Sequence, residues 1–277
     1  MFAPTTNYYR MKKLLTSLFL FFFFVTLTSC AHQTNTHKLL SDAKKSFIKI
    51  ETSVRLVQKE CDENQCVMVV KQPWMRYSSG SGAVVLYQSD KAVLTAAHVC
   101  KPEAFGFFGE LSKNVETKLI GIDINQKKHE LGIIKFNKDL DVCLLTCDTV
   151  SAPALRLSTK KPEYGDRAYN VAAPLGMANG NIVPAFQGLF FGEDSYFGKS
   201  FYSIPTIGGS SGSPILDSKG ELIGMIHSVH YKFHHLAVSI SYAELWNFLK
   251  SMGSQTLIIE KEPQHLDSLL VYPMMIH

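Results

Sequence analysis

Ile207-Gly208-Gly209-Ser210-Ser211-Gly212-Ser213-Pro214 is an eight-residue stretch in which six residues are glycine or serine. A nucleophilic serine needs a turn of this kind. Its Oγ must stand clear of the backbone, and neighbouring N–H groups must converge on one point. Glycine permits that shape because it adopts φ > 0 without strain and lets a substrate come close. On this reading the N–H groups of Gly209 and Ser211 form an oxyanion hole. One such donor is typically worth about 3–4 kcal/mol in the transition state. A Gly/Ser run is also what an ordinary loop looks like, so the stretch gains meaning only from partners elsewhere in the chain.

Two candidate partners lie upstream. Thr95-Ala96-Ala97-His98 follows the expected strand Lys91–Leu94. Leu140-Asp141-Val142-Cys143-Leu144-Leu145 sets an aspartate at the mouth of another apolar run. A lone histidine after a strand is usually structural, and a lone aspartate before one is usually a turn residue. Together they offer what serine chemistry requires: a base for the serine proton, and a carboxylate to hold the imidazole tautomer. The order His, Asp, Ser differs from that of α/β-hydrolases and subtilisins.

The rest of the chain reads as β-rich. The composition, 46% hydrophobic with 19% charged residues in 277, is that of a globular protein with a sizeable core. Short runs of strand character are Ser53–Lys59, Cys66–Gln72, Gly82–Tyr87, Lys91–Thr95, Lys118–Ile124, Leu131–Phe136 and Val142–Thr146. A polar, proline-bearing linker spans Ala152–Tyr164. A second set follows: Arg167–Ala172, Ile182–Phe190, Ser200–Ile204, Pro214–Leu216, Leu222–Val229 and Leu236–Ile240. Many strands at close spacing with few helices predict a sandwich or barrel. Ser241–Met252 carries Leu245, Phe248 and Leu249 at helical spacing, with Ser241 and Glu244 placed as a capping box and Gly253 as a stop. Residues 253–277 form a tail too short for a further domain.

The first 29 residues read as an export signal. Lys12-Lys13 precedes the apolar run Leu14–Leu27, and a charged start before a short apolar stretch is a secretory signature. Met11 is an alternative start. Leu27-Thr28-Ser29-Cys30 resembles a bacterial lipobox, which implies lipid attachment at Cys30, a membrane partner, and residues 30–45 as a tether. By the same resemblance Ala31 implies outer-membrane sorting in a Gram-negative cell. Arg10, Lys12 and Lys13 supply three of the net +4 charges, so no basic patch remains to suggest nucleic acid. Of six cysteines, lipid on Cys30 leaves five, so at least one is unpaired within the chain. Cys61 and Cys66 flank a hairpin tip that a bridge could staple. Cys100 could pair with Cys143 or with Cys147. None fits a zinc pattern.

With the three motifs in place, the chain resembles a chymotrypsin/trypsin-like serine peptidase of the bacterial kind, similar to HtrA proteases and glutamyl endopeptidases. Thr95–His98 matches a TAAH motif, Leu140–Leu145 a D-[IV]-A-L-L motif with Cys143 in place of alanine, and Gly209–Pro214 a G-[ND]-S-G-[GS]-P motif with Ser210 at its second position. Ser79-Gly80-Ser81-Gly82, Gly165-Asp166-Arg167, Ala173-Pro174-Leu175-Gly176 and Gly220-Glu221-Leu222-Ile223-Gly224 fall in the family's order. The resemblance covers residues 46–252. It implies an all-β fold of two perpendicular six-stranded barrels, about 46–150 and 163–240, closed by a C-terminal helix. It implies His98 as general base, Asp141 as its orienter and Ser211 as nucleophile, with Ser210 and Ser213 as competitors. It implies protein or peptide substrates, an acyl-enzyme intermediate, and no metal or organic cofactor. The rival reading is a catalytically silent binding module on the same fold.

The same resemblance assigns Thr206, His227 and Ser228 to the substrate pocket. A protonated histidine beside a threonine hydroxyl would suit a substrate carboxylate. His227, however, falls one residue later than the glutamyl-endopeptidase pattern, and one residue along a strand changes the face. Acidic and small or apolar specificities both stay open. Pro205, standing where an aspartate would select Arg or Lys, argues against basic specificity. His230, His234 and His235 suggest a solvated hairpin rather than a metal site.

Overall fold

The structure is a computed structural model that describes residues 36–61, 65–180, 182–230, 232–251 and 271–273. The expected export signal with Cys30, and the Gly253 helix stop, lie outside the described residues. Sheet pairings form two rings. In the first, β1 (Phe47–Cys61) pairs with β3 (Met75–Tyr87) on one side and β5 (Val115–Ile122) on the other. Strand β3 leads to β4 (Asp90–Thr95), and β4 to β8 (Val142–Leu145). The ring closes through a strand broken only at Gly132. Its first half, β6 (Lys128–Leu131), pairs with β5, and its second half, β7 (Ile133–Asn137), pairs with β8. The short β2 (Cys66–Val70) folds back on the outer end of β1 as a hairpin closed by the Cys61–Cys66 disulfide.

The second ring runs β12 (Pro214–Leu216), β9 (Arg167–Val171), β10 (Ala185–Asp194), β11 (Lys199–Tyr202), β14 (Phe233–Ile240), β13 (Leu222–His230) and back to β12. The result is a chymotrypsin-like, mostly β fold. The apolar faces of the strands point into the rings, where Ile48, Ile50, Leu94 and Leu144 fill the first and Ile204, Ile215 and Ile226 fill the second. At about 25 cal/mol per Å² of apolar surface, burial of such side chains is the main driving force for the rings to close.

The linker does more than connect. Leu155 N donates to Val84 O of β3, and Ser158 N donates to Leu222 O of β13. One extended segment is thereby stitched to both rings. The helix α1, residues 36–46, occupies most of the stretch expected as a tether, and it buries Leu39 and Ala43. Those two apolar residues lie four apart, which places them on one helix face. The last helix, α3 (Tyr242–Lys250), begins as its sequence suggests. The Ser241 hydroxyl accepts from Glu244 N at 3.2 Å, and Leu245, Phe248 and Leu249 are buried.

Candidate active site

His98 stands in a single helical turn, α2 (Ala97–Cys100), directly after β4. Ala96 and Ala97 are fully buried, so only small side chains fit beneath this turn. The turn is tied down by Thr52, whose hydroxyl donates to Val99 O at 2.7 Å. Asp141 sits in the turn between β7 and β8 at φ 51°, a left-handed conformation that aspartate tolerates better than most residues. Asn137 Oδ1 accepts from Leu140 N at 3.0 Å and holds that turn.

The two motifs meet in space. His98 Nδ1 lies 2.7 Å from Asp141 Oδ2, and His98 N donates to Asp141 Oδ1 at 2.9 Å. One carboxylate therefore grips both the ring and the backbone of the histidine. The Cys100–Cys143 disulfide adds a covalent tie. Each cysteine lies two residues past its motif residue, so the bridge joins α2, which carries His98, to β8, which begins directly after Asp141. This resolves the open pairing and explains the cysteine that replaces alanine in the aspartate motif. Among the described residues, Cys147 is left as a buried free thiol.

The glycine-serine stretch forms the expected turn. Ser210 N donates to Ile207 O at 3.0 Å, with Gly209 at φ 92°. A positive φ at that position marks a type II turn, which favours glycine. Gly208 O accepts from Leu175 N at 2.6 Å. Because a trans peptide is planar with its C=O and N–H opposed, the Gly209 N–H points away from Leu175. Among the described residues, neither Gly209 N–H nor Ser211 N–H donates to another group. Gly212, at φ 87°, has no room for a side chain: a Cβ there would stand 2.0 Å from Ser81 O and 2.3 Å from Thr95 Oγ1.

Of the three serines in the turn, Ser211 reaches His98, with its Oγ 2.9 Å from Nε2. Ser210 Oγ is buried without a hydrogen-bond partner among the described residues, and Ser213 Oγ accepts from Asn170 Nδ2 at 2.8 Å. His98, Asp141 and Ser211 are all largely buried, at 7%, 8% and 2% exposure, so their hydrogen bonds are little screened by water.

Ser81 has a place in this site that its sequence context did not announce. Its N–H donates to Ser211 O at 2.7 Å, its hydroxyl donates to Gly209 O at 2.8 Å, and the same oxygen accepts from Ala173 N at 2.9 Å. It staples the first barrel to the nucleophile turn of the second. The available signal was the Gly80-Ser81-Gly82 stretch leading into the apolar run Ala83–Leu86, since glycine within a strand marks close backbone approach.

The pocket residues part company. Thr206 is buried, and its hydroxyl donates to Ile204 O at 3.0 Å. His227 does not act as a cation awaiting a substrate carboxylate. It faces Asp141, with Nδ1 3.9 Å from Oδ2, and Ser228 Oγ lies 3.0 Å from the same nitrogen. Burial pushes the His227 imidazole down to about 4, so it is neutral at neutral pH. The cause of the misplacement is a bulge. Ile226 pairs with Ser239 and Ser228 with Val238, leaving His227 as the extra residue on β13. A bulge breaks strict alternation and re-aims a side chain. Among the described residues, no group of three or more His, Cys, Asp or Glu side chains is arranged to hold a metal.

Comparison with known proteins agrees with the geometry. A family model described as "Trypsin-like peptidase domain" matches residues 80–225, a span that holds all three motifs. No curated protein matches the sequence. Among solved structures, the chain is similar to the serine endoprotease from Yersinia pestis at 14% identity and TM-score 0.54, covering 76% of this chain and 64% of that one. It is similar to the Rv3671c protease from M. tuberculosis in its active form at 16% identity and TM-score 0.55, covering 79% and 85%. It is also similar to the HtrA-type protease AlgW with tripeptide at 15% identity and TM-score 0.53, covering 76% and 62%. At these identities the likeness is one of fold. The chain spans less than two thirds of the first and third of these proteins.

Proposed function

Since the chain belongs to the trypsin-like peptidase family, and with it to the serine endopeptidases, we propose that it hydrolyses peptide bonds in protein or peptide substrates through Ser211, His98 and Asp141. The observation that carries this reading is the unbroken chain of contacts from Asp141 Oδ2 to His98 Nδ1 at 2.7 Å, and from His98 Nε2 to Ser211 Oγ at 2.9 Å. Asp141 keeps the Nδ1 proton in place, which leaves the Nε2 lone pair facing the serine. As Ser211 Oγ bonds to the substrate carbonyl carbon, its proton passes to Nε2. The carbonyl oxygen becomes an oxyanion, and the N–H groups of Gly209 and Ser211 receive it. The imidazolium then gives its proton to the leaving amine, and the C–N bond breaks. An acyl-Ser211 remains, and water, deprotonated by His98, releases the acid.

Export belongs to the same proposal. Two disulfides in one chain suit an oxidising compartment, and Leu27–Cys30 supplies a lipidation signal. The enzyme then works at the envelope of a Gram-negative cell, held by lipid on Cys30. Incorporation of labelled palmitate that is lost in Cys30→Ser tests the anchor.

The test of the chemistry is labelling with a fluorophosphonate, followed by mass mapping. Ser211 should carry the phosphonyl group, and Ser211→Ala should lose both the label and casein hydrolysis. Well-folded protein that takes no label at Ser211 would sink the peptidase reading and favour a silent binding module.

A further inference from the structure

Strand β13 has two edges. One is paired with β14. The other is paired with β12 only as far as Met225, opposite Pro214. There the nucleophile turn takes over: Gly212 N donates to Ile226 O at 2.6 Å, and Ile226 N donates to Ser213 O at 3.0 Å. Two residues further on, the same edge runs past the site with no strand of the barrel beside it among the described residues. It is filled instead by β15 (Val271–Pro273), a segment that follows α3 in the chain. The pairing is antiparallel, with Ser228 opposite Pro273, Val229 opposite Tyr272 and His230 opposite Val271.

The direction of this pairing matters. Because β15 runs antiparallel to β13, it enters at His230 and leaves at Ser228, so the chain travels toward the residues that bond the Ser211 turn. An extended peptide delivering a carbonyl to Ser211 must satisfy its own backbone groups on the way. A sheet edge leading to the nucleophile is the means available, since added strands bind through main-chain hydrogen bonds. The Ser228–His230 edge has that position, because Ile226 is bonded to the two residues that follow Ser211 in the turn, Gly212 through its N–H and Ser213 through its carbonyl. Two strands cannot occupy one edge.

We propose that the segment Val271–Pro273 occupies the edge of β13 on which a substrate backbone docks, and so acts as an intramolecular competitor of the protein's own substrates. This rests on the peptidase reading above and adds a control to it. An intramolecular strand competes at an effective concentration set by the connection that ties it to the site, and not by the concentration of the protein. Substrate then binds only the fraction of molecules in which the edge is free, and its apparent affinity falls by that fraction.

The test compares the full chain with a triple variant, Val271→Gly, Tyr272→Gly and Pro273→Gly. Both are assayed with fluorescein-labelled casein and with a small fluorophosphonate that reaches Ser211 without needing the edge. Displacing a strand that covers nine molecules in ten raises kcat/KM roughly tenfold, mostly through KM. The fluorophosphonate rate stays within about twofold on the same argument, since the probe does not compete for the edge. A synthetic peptide of residues 268–277 should then inhibit the triple variant competitively. Equal kcat/KM in the two proteins, with Ser211 labelled in both, overturns the competitor while leaving the peptidase intact. Failure of the peptide to compete overturns it equally. Absence of label in both proteins removes the peptidase reading itself, and the competitor with it.

Discussion

His227 Nδ1 lies 3.9 Å from Asp141 Oδ2, the same carboxylate oxygen that His98 Nδ1 meets at 2.7 Å. Two imidazoles thus flank one buried carboxylate, and of the two only His98 lies within hydrogen-bond distance of it. His98 holds it through a short hydrogen bond. His227 is kept neutral, and its Nδ1 is occupied by the Ser228 hydroxyl at 3.0 Å. Burial is the largest cause of its low pKa. Asp141 opposes that shift, Lys199 on β11 and His98 on α2 reinforce it, and a bond to the Ser239 backbone on β14 opposes it. A neutral His227 leaves the Asp141 charge directed at His98.

Acid should expose this arrangement as lost stability. The His227 value of about 4 in the folded chain lies below its ordinary 6.5. Between those values the unfolded chain holds a proton that the folded chain does not, so stability rises with pH across that window and is lost as pH falls through it. The full span is worth about 3 kcal/mol. His227→Gln removes the titration while keeping a polar side chain. Urea denaturation at pH 7 and pH 4.5 should show a fall smaller by about 2 kcal/mol in the variant. Parallel falls in the two proteins would assign the acid sensitivity elsewhere.

Asp141→Asn should silence the enzyme while sparing the fold. Asp141 Oδ1 accepts from His98 N, so the amide oxygen of an asparagine would take that place. Its NH2 would then face His98 Nδ1, which would have to accept. The ring proton moves to Nε2, and the base can no longer take the Ser211 proton. Asparagine also tolerates the φ of 51° at this turn. Loss of kcat should be on the order of 10⁴, with a melting temperature within a few degrees of the parent. Retained turnover would mean that Asp141 does not set the tautomer.

Ser210 and Gly212, two residues apart in the same turn, should respond in opposite ways to alanine. Ser210 Oγ is buried with no partner among the described residues, and removing an unsatisfied polar group is close to neutral or stabilising. Ser210→Ala should keep casein hydrolysis within about threefold, because the oxyanion donors are backbone groups. Gly212→Ala should fail, since its Cβ would meet backbone at 2.0 Å and φ is 87°. We expect a loss of more than about 3 kcal/mol, or insoluble protein. A soluble and active Gly212→Ala would show that the turn relaxes far more than its packing suggests.

The reach of the sequence follows from how local each signal is. His98, Asp141 and Ser211 could be read because each lies in a short motif whose neighbours serve the same end, with small alanines under the histidine, a buried strand after the aspartate and glycines around the serine. Strand spacing gave a β-rich sandwich or barrel, and the division into two barrels came from the family resemblance. His227 could not be placed, because a one-residue bulge against β14 decides its direction, and a bulge is a property of pairing between distant strands. The partner of Cys100 stayed open for the same reason, since Cys143 and Cys147 differ only in what lies across the barrel. Helix α1 was hidden by its composition: Leu39 and Ala43 are too few to stand out in a polar segment. Strand β15 is three residues long, and its sheet partner alone defines it.

The Cys100–Cys143 bridge should matter to catalysis as well as to stability. It closes a sequence separation of 43 residues, for which the loop-entropy model gives about 4 kcal/mol. It also joins α2 to β8 within two residues of His98 and Asp141. Most of the 2.7 Å contact between those side chains is nevertheless set by strand pairing, since Thr95 already lies opposite Cys143 across β4 and β8. The double variant Cys100→Ser, Cys143→Ser should therefore fold, melt at least several degrees lower, and lose kcat more than it raises KM. The same change in the outlying pair, Cys61→Ser with Cys66→Ser, serves as the control. That bridge spans 5 residues at the tip of a hairpin, at the end of β1 remote from Lys49, which pairs with Ser81, so kcat should be unaffected. Equal effects of the two double variants on kcat would show that the inner disulfide supports the fold alone and does not hold the histidine to its carboxylate.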